Sequence, residues 1–100
     1  MANRRIILSR SARKSLDNLE KSNPVAAQIV IDEIETLANE DSLINLHSVR
    51  VMRYKQQGYM RAEAGNLRII FKEKNGVLDI AAIDKRNDDK AYREFKRKNS

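Results

Sequence analysis

The alternation of apolar and polar positions divides the chain into a helical first half and a strand-rich second half. A β-branched run from Arg5 to Leu8, ending at Ser9, predicts a first strand. Ser9 or Ser11 then caps a helix in which Ala12, Leu16 and Leu19 fall at i, i+4 and i+7, with Arg13, Lys14, Asp17, Asn18 and Glu20 elsewhere around it. The helix stops near Lys21 and Ser22, and Asn23-Pro24 starts another. Asn supplies the cap, and Pro takes the first helical position, where its missing N–H costs nothing. This second helix runs to about Asn39 on a stripe of Ala27, Val30, Ile31, Ile34, Leu37 and Ala38, leaving Gln28, Asp32, Glu35 and Thr36 outward. Two helices on a short loop form an antiparallel hairpin, whose shared apolar face needs a flat surface to cover.

From Glu40 to Gly58 the pattern predicts a loop, pinned to the core by Leu46, Val49 and Met52. Three strand-like runs follow, Tyr59 to Ala64, Leu67 to Lys74 and Val77 to Asp84. Both junctions are two-residue turns: Gly65-Asn66 places Gly first, as a type II′ turn requires, and Asn75-Gly76 is a type I′ pair. Such turns set register, so Ala64 faces Leu67, Glu63 faces Arg68, Arg61 faces Ile70 and Tyr59 faces Lys72. One face then carries Met60, Ala62, Ala64, Leu67, Ile69 and Phe71, and is the face the helices cover. The other carries Tyr59, Arg61, Glu63, Arg68, Ile70 and Lys72. Continuing the alternation through the second turn adds Leu78, Ile80 and Ala82 to the covered face, and Asp79, Ala81 and Ile83 to the open one. Asn87, Asp88 and Asp89 offer a cap and two acids for a final helix that ends at Lys96-Arg97-Lys98, with Tyr92 and Phe95 as its docking residues. The predicted fold is α+β: an N-terminal strand, an antiparallel helical hairpin packed on an antiparallel three-stranded meander, and a short C-terminal helix, forming a single domain over residues 1–100.

Charge sharpens this outline. The first fifty residues hold 7 basic and 7 acidic side chains and the last fifty hold 13 and 7, so the whole net charge of +6 falls in the second half. The open face is thereby a basic shelf with an aromatic at its rim, suited to a polyanion. With no Cys and a single His, His47 in the predicted loop, the chain offers no disulfide, thiolate chemistry or zinc site. No apolar run approaches a membrane span, and the Arg-rich, acid-free first sixteen residues read as structure rather than as a transit peptide. Walker, dinucleotide, HExxH and nucleophile-elbow motifs are all missing. What remains is a cationic set, Arg61, Arg68 and Arg86 with Lys55, Lys72 and Lys85 nearby, partnered by Tyr59 and Tyr92. Arginine matches phosphate oxygens bidentately and never titrates away, while tyrosine stacks on a base or exchanges a proton. A phosphodiester is the expected substrate class.

The run Gly58-Tyr59-Met60-Arg61-Ala62-Glu63-Ala64-Gly65-Asn66-Leu67-Arg68-Ile69-Ile70-Phe71 resembles the "YRlRvGdyRiiF" signature of the RelE/ParE superfamily of toxins from bacterial type II toxin–antitoxin systems. Ala81 to Arg86, with Tyr92 six residues beyond the Arg, is similar to its "vGhR…Y" ending, although Asp84 stands where the pattern usually has Gly. The order strand, two helices, meander and short helix matches over nearly the whole chain. The resemblance implies a microbial-ribonuclease-like fold neutralised by a cognate antitoxin in the cytoplasm.

Within that superfamily the RelE-like branch cleaves mRNA in the ribosomal A site, and the ParE-like branch inhibits DNA gyrase. Arg61, Arg68, Arg86 and Tyr92 match the residues that line the RelE-like site, which favours that branch, although Arg61 departs from it by replacing a frequent Lys. The resemblance then implies a ribosome-dependent mRNA endonuclease, in contact with 16S rRNA and needing no cofactor or metal. The 2′-OH attacks the adjacent phosphorus, Arg68 and Arg86 stabilise the phosphorane, and Tyr92 orients the nucleotide or acts as base. Lys55, Tyr59, Lys72 and Lys85 are the expected RNA-binding residues. Operator DNA is reached through the antitoxin complex, and no membrane is engaged. The alternatives are a ParE-like inhibitor of gyrase and a non-cleaving RNA-binding relative held by an antitoxin.

Overall fold

Local signals set most of the element boundaries. In the computed structural model, which describes residues 2–46, 48–51 and 58–85, the first strand β1 spans Arg5–Leu8 and leads into helix α1 over Arg10–Ser22. Ser9 is the cap: its side-chain oxygen accepts from the Ala12 N–H at 3.0 Å. Asn23 serves both helices, donating its N–H to Leu19 O at 2.7 Å and accepting from the Ala26 N–H at 3.2 Å through Oδ1. Helix α2 (Pro24–Asn39) therefore begins on the residue that ends α1. Its own C-terminus is closed by Arg4, whose guanidinium donates to the carbonyls of Leu37 at 3.2 Å, of Glu40, and of Asp41 at 3.3 Å. A cation over terminal carbonyls satisfies orphan acceptors and suits the helix dipole.

The stretch read as a loop contains two further elements. A 3-10 turn over Leu43–Asn45 buries Leu43, and β2 follows over Val49–Val51. Val49 is buried, as expected of a pinning residue, but it is held there by strand pairing. Ser48 fixes the approach, donating from Oγ to Glu33 Oε2 at 2.6 Å while its carbonyl accepts from the Glu63 N–H at 3.0 Å. Strands β3 (Tyr59–Ala64), β4 (Leu67–Lys74) and β5 (Val77–Lys85) complete the sheet. The three-stranded meander is thus the centre of a five-stranded sheet ordered β1-β5-β4-β3-β2, with β1 parallel to β5 and the other neighbours antiparallel. Met52, His47 and the expected C-terminal helix lie outside the described residues.

The helical hairpin covers one face of this sheet. Val30 and Leu37 from α2 meet Ile69, Phe71, Leu78 and Ile80 from β4 and β5, all at most 1% exposed. Both turns behave as their residues demand: Gly65 has φ +62°, and Asn75 and Gly76 have +54° and +78°. The β3–β4 register agrees with the expected one throughout, Glu63 opposite Arg68 and Tyr59 opposite Lys72. The β4–β5 register does not. It shifts between Ile70, opposite Ala82, and Phe71, opposite Ile80, leaving Ala81 as the extra residue of a bulge. Every side chain beyond Ala81 consequently changes face. Ile83, expected outside, is 4% exposed within the core, and Ala82, expected inside, packs on the outer-face residue Ile70. Burying an isoleucine contributes about 1.5–3 kcal/mol, which favours the bulge over an unbroken ladder. Ser9 anchors it, donating from Oγ to Ala81 O at 2.8 Å.

Candidate functional site

The open face is best followed in rows across the strands, because directly paired residues share a face. One row reads Glu63, Arg68, Asp84 across β3, β4 and β5. The next reads Arg50, Arg61, Ile70, Ala82 from β2 to β5, and the third reads Tyr59, Lys72, Asp79, Ile7 from β3 to β1. Three arginines thus occupy two adjacent rows.

Arg68 is the most enclosed of them, at 9% exposure and set between two carboxylate-bearing neighbours. Burial and flanking acids make it a fixed charge rather than a mobile surface one. The bulge is what brings Asp84 there, since an unbroken ladder would have placed Ile83 beside Arg68. Asp84 also accepts from the Lys85 N–H at 2.7 Å through Oδ1. Arg61 is half-buried, and Arg50 stands opposite it on β2, exposed, with its guanidinium donating to Val49 O at 2.9 Å. Two arginines directly opposite each other on a sheet concentrate positive charge at one spot, which suits a phosphate. Below them, Lys72 places its Nζ 5.2 Å from the centroid of the Tyr59 ring. Tyr59 also packs with Ala81 and Ala82 around Ile70, which gives the face an apolar floor.

Of the expected site residues, the structure brings Tyr59, Arg61, Arg68 and Lys72 onto this one face. Lys85 stands apart from these four. The bulge turns it to the helix-covered side, opposite Leu67, where it lines a groove of about 580 Å³ with Leu19, Val25, Ile29 and Ala64. Lys55, Arg86 and Tyr92 lie outside the described residues. Arg50 was missed because its strand was missed. The signal was present as Val49-Arg50-Val51, a basic residue between two β-branched ones, which puts the Arg on the face opposite to the valines.

Residues 6–90 match the family model described as the ParE toxin of type II toxin–antitoxin systems, parDE. The chain belongs to the ParE toxin family. A search of curated protein sequences returns no match. Among solved structures, this ParE-family toxin is similar to the YoeB dimer of Staphylococcus aureus, with a TM-score of 0.72 and 12% identity over 83% of this chain and 97% of that one. It is also similar to the RelBE2 toxin–antitoxin complex of Mycobacterium tuberculosis (0.68, 21%, 88% and 97%) and to the archaeal RelE–RelB complex of Pyrococcus horikoshii (0.66, 19%, 86% and 98%). Identities this low speak for the fold alone. The ParE-family toxin therefore has the α+β architecture of YoeB and RelE, and it is a toxin of the RelE/ParE superfamily.

Proposed function

We propose that this toxin is a metal-free endoribonuclease that cuts mRNA in the ribosomal A site and thereby stops translation in the cytoplasm, its open sheet face being the phosphodiester site. The observation that carries the reading is the Arg50–Arg61 juxtaposition one row from the enclosed Arg68. Arg50 and Arg61 grip phosphates of the strand, and Arg68 stabilises charge on the phosphorane. Tyr59 offers a stacking surface beside Lys72, and Lys55 extends the RNA contact. Arg86 and Tyr92 take the roles the superfamily pattern gives them, Arg86 as a second cation on the phosphorane and Tyr92 as nucleotide orienter or base. In the reaction the 2′ oxygen forms a bond to the adjacent phosphorus and the bond from phosphorus to the 5′ oxygen breaks. The products are a 2′,3′-cyclic phosphate and a 5′-OH, and the 2′ proton passes to the base. Cations set in advance where charge develops are typically worth about 3–4 kcal/mol each.

A cognate antitoxin holds the toxin silent and carries the pair to operator DNA. The antitoxin partner is supported by the similar RelBE2 and RelE–RelB structures, which were solved as toxin–antitoxin complexes. A second reading, in which the same face binds DNA gyrase without catalysis, is favoured by the family match itself.

Two assays on the purified protein separate the readings: primer extension on a defined mRNA with and without translation, and supercoiling by gyrase. Translation-dependent cuts bearing cyclic phosphate ends, reduced about a hundredfold or more by Arg68→Ala and by a smaller factor in Arg50→Ala, are the expected result. Intact mRNA together with inhibited supercoiling overturns it in favour of gyrase.

A further inference from the structure

Cleavage through the 2′ oxygen needs a proton acceptor next to the phosphorus, and the arginines of the open face cannot supply one. A guanidinium stays protonated and has no acceptor atom. In the two rows that hold them, Glu63, Arg68, Asp84 and Arg50, Arg61, Ile70, Ala82, only the Glu63 and Asp84 carboxylates can take a proton. Asp79 pairs with Lys72, four residues along β4 from Arg68, a span of about 13 Å. That is too far for Asp79 and Arg68 to meet at one phosphodiester.

Between the two carboxylates, the geometry favours Asp84. The bulge at Ala81 turns it to the open face directly opposite Arg68, where cross-strand neighbours have Cβ atoms about 4.5–5.5 Å apart. It is half-buried, and its Oδ1 accepts from the Lys85 N–H at 2.7 Å, which holds a short side chain in place. A carboxylate has several acceptor sites, so that bond leaves capacity for a substrate hydroxyl. Glu63, on the other flank of Arg68, carries a longer side chain with more freedom to lose before it could act. Asp84 also stands where the superfamily pattern usually has Gly, so it gives this site a group that a glycine could not.

We infer that Asp84 is the general base of the cleavage reaction, leaving Tyr92 to orient the nucleotide. The inference rests on the endonuclease reading and deepens it by naming the group that takes the proton. As the 2′ oxygen bonds to phosphorus, its proton passes to the Asp84 carboxylate. The bond from phosphorus to the 5′ oxygen breaks, the leaving oxygen takes a proton from water, and Asp84 returns its proton to the hydroxide so formed. Arg68, one strand away, stabilises the phosphorane beside the same carboxylate. With Arg50 and Arg61 in the next row, the arginines of these two rows outnumber the carboxylates, so the phosphate is still attracted.

Single-turnover cleavage of a defined mRNA by the full chain on translating ribosomes tests it. Asp84→Asn keeps an acceptor for the Lys85 N–H but cannot take the proton, and is expected to slow the cleavage step about a hundredfold or more while the half-saturating toxin concentration stays within about twofold. Asp84→Glu, which keeps the carboxylate, is expected to retain more activity than Asp84→Asn. Wild-type cleavage falls as the pH is lowered, because a protonated carboxylate cannot accept, and Asp84→Asn is expected to lack this limb. On an mRNA whose 5′ leaving oxygen is replaced by sulfur, which departs without a proton, Asp84→Asn is expected to stay as slow. Recovery of the wild-type rate on that substrate would make Asp84 an acid and overturn the proposal. Cleavage by Asp84→Asn within about threefold of wild type overturns it too, as does a loss shown by Glu63→Gln and not by Asp84→Asn. Unchanged β4 amide exchange certifies that each variant is folded. Intact mRNA with the wild-type toxin is a separate failure, which overturns the endonuclease reading and the base with it, whereas wild-type cuts with an unimpaired variant overturn the base alone.

Discussion

The β3–β4 and β4–β5 hairpins are built alike at their tips and differently in their bodies. Each has a two-residue turn with the positive φ angles its residues favour. In the first hairpin the ladder runs unbroken from Ala64 opposite Leu67 to Tyr59 opposite Lys72, whereas in the second it slips at Ala81. A turn therefore dictates register only as far as the packing beyond it agrees. β3 has Ala62 and Ala64 on its covered face, small residues that fit without adjustment. In β5 an unbroken ladder would have put Ala82 inside and Ile83 outside, and the strand takes an extra residue to reverse them. The same slip places Asp84 beside Arg68, so a packing decision also determines the electrostatics of the candidate site.

The comparison can be broken most sharply at Ile83. Ile83→Ala is expected to destabilise the protein by about 2–4 kcal/mol in urea denaturation, while Ala82→Ser costs under about 1 kcal/mol. Equal effects at the two positions would restore the unbroken ladder. Next comes Ser9→Ala, which removes both the α1 cap and the bond to Ala81 and is expected to cost about 1–2 kcal/mol. Gly76→Ala tests the second turn itself: a Cβ meets nothing within 4 Å there, so the expected loss of about 1 kcal/mol reports the φ of +78° alone. The smallest effect belongs to the first hairpin. Lys72→Ala, which removes the cation over Tyr59, is expected to lower stability by about 0.5 kcal/mol, with unaltered chemical shifts across the Glu63–Arg68 pair.

Legibility followed the range of the signals. Caps at Ser9 and Asn23, Pro24 at the helix start and the two Gly-Asn-type turns act over a few residues, and the elements they bound came out as expected. β2 was overlooked because the alternation Val49-Arg50-Val51 is a single period, too short to stand out within a stretch read as loop, and with it went Arg50. The bulge was illegible because its causes, the Ile83 pocket and the Ser9 hydroxyl, come from elsewhere in the fold. The site divides in the same way. Arg61, Arg68, Tyr59 and Lys72 followed from the first hairpin's register, whereas Lys85 lies downstream of the slip, which sets its face by packing rather than by the turn.

The bond from Ser9 to Ala81 joins positions 72 residues apart, and this separation bears on how the toxin is made. Loop closure over such a span is slow compared with turn formation, so β1 docks after the β4–β5 hairpin exists. On a ribosome, the first strand and both helices emerge before the strand they need. The sheet is completed only once β5 has emerged, and until then the edge residue Ile6 and the core residue Leu16 depend on a partner that has not yet appeared.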